Sequence, residues 1–301
     1  MSTSRDRDDT SGTQPLRTCR AADGVRLAYL CRPGPEGNTP VALLHGLASN
    51  HSRWLELLDD CPALAERTVL CPDLRGHGAS ERHGRLGHDR WTQDLLDVLD
   101  HEGIQRAVIG GHCLGANLAL HFAAQHPERC AALFLIEPMP PEAIQGRLGQ
   151  LASVSWLLRP LISLLRGLNR MGLKRRQFRH VDLRALDQQA RERMRTEGAE
   201  AVASSHGAPL KDLHTMPVAS YLASLLSVVS PLPDPRQIGA PTLALLASGT
   251  HMTDLIQVHQ YLDALPNQRT IEVDAVHWIP TERPDALAQA LAEFLSSHQP
   301  A

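Results

Sequence analysis

Short, almost wholly apolar runs recur along this chain with helix-like stretches between them, and that alternation restricts the fold more than any other feature. The runs are Val25–Cys31, Val41–Leu44, Thr68–Cys71, Ala107–Gly110 and Ala131–Ile136, then, after a long gap, Thr242–Ala247, with a more polar strand read over Arg269–Val273. Helical composition fills Trp54–Glu66, Arg90–His101, Ala116–Gln125, Leu255–Ala264 and Pro284–Ser297. A strand apolar on both faces must be covered on both, so strands alternating with helices predict a mostly parallel sheet between two helical layers, an α/β fold.

The alternation fails from Pro138 to Arg236, where no strand can be read and apolar residues fall at helical spacing, as in Leu157, Leu158, Leu161, Leu164, Leu165 and Leu168. A helical insertion between two strands of such a sheet is expected to form a lid, and these leucines to pack it onto the body, some of them lining a cavity. The expected organisation is therefore a core of residues 16–137 and 237–301, a lid of residues 138–236, and a disordered tail over residues 1–15, which read MSTSRDRDDTSGTQP.

Composition excludes several classes. The net charge of −3 supplies no field that would gather nucleic acid. The longest apolar stretches, Leu151–Leu168 and Val218–Leu232, are interrupted by Arg159, Pro160 and serines, so neither is expected to span a membrane. The six cysteines are Cys19, Cys31, Cys61, Cys71, Cys113 and Cys130; they form no C-x-x-C pair and accompany no export signal, which points to a soluble, reduced, cytoplasmic protein. His77, His83, His88, His251 and His259 show no metal-ligand spacing and no phosphate loop is present, so neither metal nor cofactor is expected.

Cys113 stands apart from the other five, which read as small core residues. It is centred in Gly111-His112-Cys113-Leu114-Gly115, directly after an apolar strand and at the opening of a helix. That is the spacing of the nucleophile elbow G-x-S-x-G with cysteine in place of serine. A sharp strand-to-helix turn exposes its central side chain, and the amides at the start of the helix favour a thiolate over a thiol.

Together with three other segments, this elbow resembles the α/β-hydrolase superfamily over nearly all of the chain outside the lid. Leu43-Leu44-His45-Gly46-Leu47 is similar to the family's oxyanion strand end, which implies that the amides of Leu47 and Leu114 form the oxyanion hole. Asp73-Leu74-Arg75-Gly76-His77-Gly78-Ala79-Ser80 matches the family's structural D-x-R-G-x-G-x-S loop. Val276-His277-Trp278-Ile279-Pro280 resembles the catalytic-histidine loop, with Val276 where the family usually has glycine, and makes His277 the expected general base.

Two carboxylates compete for the third place. The family's usual acid position falls near Thr250, which cannot orient a histidine as a carboxylate does. Glu137, at the end of the strand that follows the nucleophile helix, resembles the placement in some haloalkane dehalogenases and is the first choice; Asp254 is the alternative, equally able to serve as a helix N-cap. The resemblance implies hydrolysis of a carboxylic ester or thioester through a cysteine acyl-enzyme, with an acyltransferase, a lyase or a catalytically silent binding protein as alternatives. The partner expected is a small acyl substrate. Ten Lys/Arg against three Asp/Glu between Arg166 and Arg195 admit a carrier- or coenzyme-A-bound one, although a solvated helical face is the plainer account.

Overall fold

The computed structural model describes residues 15–153, 155–171, 178–198 and 212–297. The tail to Gln14 and the basic run Lys174-Arg175-Arg176 lie outside them. In chain order the elements are β1 (Arg17–Arg20), β2 (Arg26–Arg32), β3 (Val41–Leu44), α1 (Leu55–Asp60), α2 (Pro62–Ala65), β4 (Val69–Pro72), α3 (His88–His101), β5 (Ala107–His112), α4 (Leu114–Gln125) and β6 (Cys130–Ile136). Next come α5 (Gly146–Ser153), α6 (Leu158–Arg170), α7 (Leu183–Glu197) and α8 (Val218–Val228), then β7 (Thr242–Ala247), α9 (Leu255–Asp263), β8 (Gln268–Val273), α10 (Ile279–Glu282) and α11 (Pro284–Ser297).

The eight strands form one sheet in the order β1-β2-β4-β3-β5-β6-β7-β8. β2 runs antiparallel to both β1 and β4, and every later pairing is parallel. β3, β4 and β7 are buried at every residue, as the unbroken apolar runs require, and a separate apolar core fills each side of the sheet. β1 was not foreseen: three of the four residues of Arg17-Thr18-Cys19-Arg20 are exposed, so it carries no apolar run. The helix expected over Trp54–Glu66 is two short helices, because Pro62 cannot continue the first and opens the second.

Between β6 and β7 the described residues are mainly helical, and α7 is pinned to the body. Asp182 caps it by accepting from the amides of Arg184 and Ala185. Arg184 pairs with Asp59 at 2.7 Å and Arg191 with Glu56 at 2.5 Å, while Arg193 and Arg195 pair with Glu197 and Glu192 on their own helix. Much of the described basic excess is thus matched by local carboxylates. The leucines of α6 depart from expectation: Leu157, Leu161 and Leu164 are exposed, Leu158, Leu165 and Leu168 are half-buried, and Ile162 is the residue driven into the core.

Candidate active site

β5 runs straight into α4 through Cys113, whose φ of 53° and ψ of −113° lie where a residue with a Cβ is strained. The bend is possible because its neighbours lack side chains. A Cβ on Gly111 would fall 2.3 Å from the carbonyl of Gly115, and one on Gly115 would fall 2.1 Å from the carbonyl oxygen of Leu44. The amide of Cys113 donates to Ile136 O at 2.9 Å, which ties the elbow to β6. Leu114 begins α4, where first-turn amides have no acceptor within the helix.

Gly46 adjoins this bend: a Cβ there would lie 3.6 Å from that of Cys113 and 3.4 Å from the His112 ring. Leu47 follows at once, so the two residues expected to supply oxyanion donors flank the nucleophile from β3 and from α4. His45, behind them, fixes the strand end by accepting from the amide of Leu74 at 3.0 Å and contacting Gly46 O through Nδ1 at 2.8 Å. The Asp73 loop is held together by its own polar groups. Asp73 accepts from the His51 amide at 2.7 Å, the His51 ring at 2.9 Å and the Ala79 amide at 2.7 Å, and buried Arg75 is clamped by Asp23 and Asp94.

Glu137 and His277 meet, with Glu137 Oε2 2.9 Å from His277 Nδ1 and both side chains buried. The other carboxylate oxygen accepts from the Ala247 amide on β7, and the Glu137 amide donates to Leu245 O at 2.9 Å. This glutamate also sits at a positive φ, 51°, at the end of β6. With Nδ1 facing Glu137, Nε2 is the nitrogen left for Cys113. Burial opposes a charge on His277, but the hydrogen bonds to Cys113 and Glu137, and their negative charge, outweigh it and raise its pKa to about 10. Nearby imidazoles behave in the opposite way: burial holds His112 well below the usual histidine range, with the charge on His277 adding to the effect, and brings His45 down to about 4.

Asp254 is elsewhere. It caps α9, accepting from the amides of Ile256 and Gln257 at 2.9 and 3.3 Å. Thr250 accepts from the Met252 amide at 3.3 Å. All six cysteines are unpaired and buried, and burial, the largest cause in each case, raises the thiol pKa of Cys19, Cys31, Cys61, Cys71 and Cys130.

Three neighbours of the site went unread in the sequence. Met139 Sδ lies 3.3 Å from Cys113 Sγ, leaving Cys113 9% exposed. Asn117, one turn along α4 from Cys113, holds Met139 at both its amide and its carbonyl. Glu282 accepts from three successive amides, those of Val276, His277 and Trp278, at 2.8, 3.1 and 2.8 Å, and so shapes the loop that presents His277. A glutamate a few residues beyond the histidine was the available signal for this last role.

A family model described as alpha/beta hydrolase fold matches residues 39–284. The chain belongs to that family. Among curated relatives, this α/β hydrolase is 37% identical over 143 residues to the dihydrolipoyllysine-residue acetyltransferase component of an acetoin cleaving system of Pseudomonas putida, covering 46% of this chain and 37% of that one. It is 35% identical over 110 residues to the lipase LipV of Mycobacterium tuberculosis, covering 36% and 41%. The chain thus spans about two fifths of these relatives' length. Epoxide hydrolase 3 of Xenopus tropicalis is 27% identical over 290 residues, covering 90% of this chain and 75% of that one. Of solved structures, a hydrolase from Pseudomonas aeruginosa superposes with a TM-score of 0.67 at 23% identity, covering 93% and 98%, which bears on the fold of this α/β hydrolase alone. No helix among the described residues is long and apolar enough to cross a membrane, and no group of three or more His, Cys, Asp or Glu among them could hold a metal.

Proposed function

We propose that the chain hydrolyses a carboxylic ester or thioester through a covalent acyl-enzyme on Cys113, with His277 as general base and acid and Glu137 as the carboxylate that orients it. The observation that carries the reading is the buried 2.9 Å contact of Glu137 with Nδ1 of His277, which turns Nε2 over to Cys113, the group that with Glu137 raises the pKa of the ring. In the first half-reaction, Sγ attacks the substrate carbonyl as a thiolate, its proton already held on Nε2 of His277, and the amides of Leu47 and Leu114 hold the oxyanion. Collapse of the tetrahedral intermediate breaks the bond to the leaving group, which takes the proton from His277 and leaves a thioester on Cys113. In the second, His277 removes a proton from water, the hydroxide adds to the thioester, and Sγ departs with the carboxylic acid formed. Glu137, facing Nδ1, keeps that proton in place and stabilises the imidazolium through both halves.

A sulfur nucleophile favours thioesters and activated acyl groups, because exchange of one thioester for another is nearly balanced, whereas forming a thioester from an oxygen ester is uphill. The described helices between β6 and β7 are read as a lid over this site, with α7 held to the body as described. Acyl transfer to an acceptor other than water is the second reading, favoured by the Met139 sulfur that covers Cys113 and restricts access to it.

Intact-mass spectrometry after mixing with a short-chain acyl thioester tests the proposal. An adduct that maps to Cys113 and decays in water is the expected result. One that persists until an alcohol or amine arrives would favour transfer, and no adduct at Cys113 would remove the catalytic reading and leave a binding protein.

A further inference from the structure

His112 is the residue before the nucleophile, and its side chain reaches the loop that carries the base. Its Nε2 lies 3.3 Å from the carbonyl oxygen of His277, with the two ring centroids 5.3 Å apart. Burial, with the charges of His277 and Arg53 adding to it against that of Asp187, holds the His112 ring well below the usual histidine range. A neutral imidazole carries one hydrogen, and a carbonyl can only accept, so that hydrogen is on Nε2. The opposite edge of the ring packs on the oxyanion turn, where a Cβ on Gly46 would stand 3.4 Å from Nδ1.

Three side chains therefore grip His277. Its amide donates to Glu282 at 3.1 Å, its carbonyl accepts from His112, and its Nδ1 meets Glu137 at 2.9 Å. Glu282 belongs to α10 and Glu137 follows β6, whereas His112 is the direct chain neighbour of Cys113. His112 is itself anchored, since it ends β5 opposite Ile136 of β6, and the next amide, that of Cys113, donates to Ile136 O at 2.9 Å. A single peptide thus separates the sulfur from a clamp on its base.

We infer that His112 is a positioning residue that sets the separation of Cys113 and His277 through the hydrogen bond from its Nε2 to the His277 carbonyl. The inference rests on the Cys113 acyl-enzyme reading and adds to it a residue that touches no reacting atom. The place demands a donor that stays neutral. Cys113 and Glu137 favour a charge on the His277 ring, and a second cation 5.3 Å away would act against it.

Two variants separate the donor from the bulk. His112→Phe keeps a ring and loses the N–H; His112→Gln keeps a neutral N–H and loses the ring. With the acetyl thioester of N-acetylcysteamine, His112→Phe should lower kcat about ten- to a hundredfold with KM within about twofold, because small displacements of a catalytic group are costly. His112→Gln should recover most of that loss. In ¹⁵N-histidine spectra His277 should titrate at about 10 in the wild type and near it in His112→Gln, and lower by about one pH unit or more in His112→Phe, where Cys113 no longer supports the charge as closely. A His112→Phe variant that matches the wild type, equal losses in both variants, or a loss carried by KM overturns the inference and leaves the acyl-enzyme reading standing. Should the wild type not turn over the thioester, that reading fails by itself, and the titrations judge the positioning alone: a lower value in His112→Phe restored in His112→Gln upholds it, and three matching curves sink it. If His112→Phe does not fold, His112→Leu takes its place with the same expectations.

Discussion

The thioether sulfur of Met139 rests 3.3 Å from Sγ of Cys113, and the position of Met139 is set by Asn117, whose carboxamide accepts from its amide at 2.9 Å and donates to its carbonyl at 3.1 Å. Cys113 and Asn117 are one turn apart at the start of α4, so a single helix fixes both the nucleophile and its cover. Met139 is 1% exposed, and cutting it back to alanine should cost about 2–5 kcal/mol of stability. The same change uncovers the sulfur, and alkylation of Cys113 by iodoacetamide, followed by mass spectrometry, should accelerate roughly tenfold because access limits thiol reactions as well as ionisation does. An unchanged rate would mean that Met139 does not guard the thiol.

Replacing Glu137 by glutamine tests the orienting carboxylate. The amide can present an N–H to Nδ1, which forces the proton onto Nε2, the nitrogen that must accept from Cys113; kcat should fall by about 10⁴ with the fold intact. The variant also removes two causes that hold His277 at about 10 while leaving its burial, so the imidazole should titrate well below that value. ¹⁵N-histidine spectra across the pH range read this directly. A His277 resonance that titrates alike in both proteins would deny the coupling.

The parts of this arrangement that were legible beforehand are those in which one local stretch carries its own physical cause. Gly111 and Gly115 flank Cys113 because a side chain on either would collide with backbone, and the collision can be anticipated from a strand-to-helix turn. Glu137 stood out because a carboxylate at the end of a buried strand needs a partner. Asp254 stayed open because its sequence context suits a helix cap and a triad acid equally, and only position separates the two: its oxygen accepts from Ile256 and Gln257. Met139 was silent for another reason: the sulfur it covers lies 26 residues earlier in the chain and is brought near by the fold, and nothing in its own neighbourhood shows what it faces.

Glu282 gathers three amides, and glutamine can offer an oxygen to those on Oε1 but none to the Val276 amide on Oε2. Leaving a partly buried amide unmatched costs about 1–3 kcal/mol. Because a displacement of the catalytic ring by an ångström can cost about a hundredfold, Glu282→Gln should lower kcat by roughly ten- to a hundredfold while KM changes little. A rise in KM with kcat preserved would assign Glu282 to substrate binding.

Arg53 and Asp187 form a buried ion pair that joins the body to α7, and Thr281, on the short helix that follows His277, donates to Asp187 at 2.9 Å and accepts from Arg53 at 2.8 Å. Removing only the acid, as Asp187→Leu, strands the guanidinium and should destabilise the protein by about 3–5 kcal/mol in urea titrations. The double variant Arg53→Met with Asp187→Leu should recover most of that loss, since an apolar pair has no charge to desolvate. A double variant as unstable as the single one would show that α7 depends on the hydrogen bonds to Thr281 instead.

His45 and His77 make stability depend on pH on the acid side. Burial lowers their pKa values to about 4 and about 3, against about 6.5 in an unfolded chain. Between these limits the unfolded state binds the protons that the folded state refuses, so the free energy of unfolding is full above about 6.5 and falls as the pH drops towards the folded values. Each histidine should add up to about 1.4 kcal/mol per pH unit to that slope. His77→Gln removes one such group, and urea titrations from pH 7 to pH 4 should give a shallower decline for the variant than for the wild type. Parallel declines would mean that His77 takes up its proton without unfolding, and that the contact of its ring with His45 at 5.1 Å tolerates a charge.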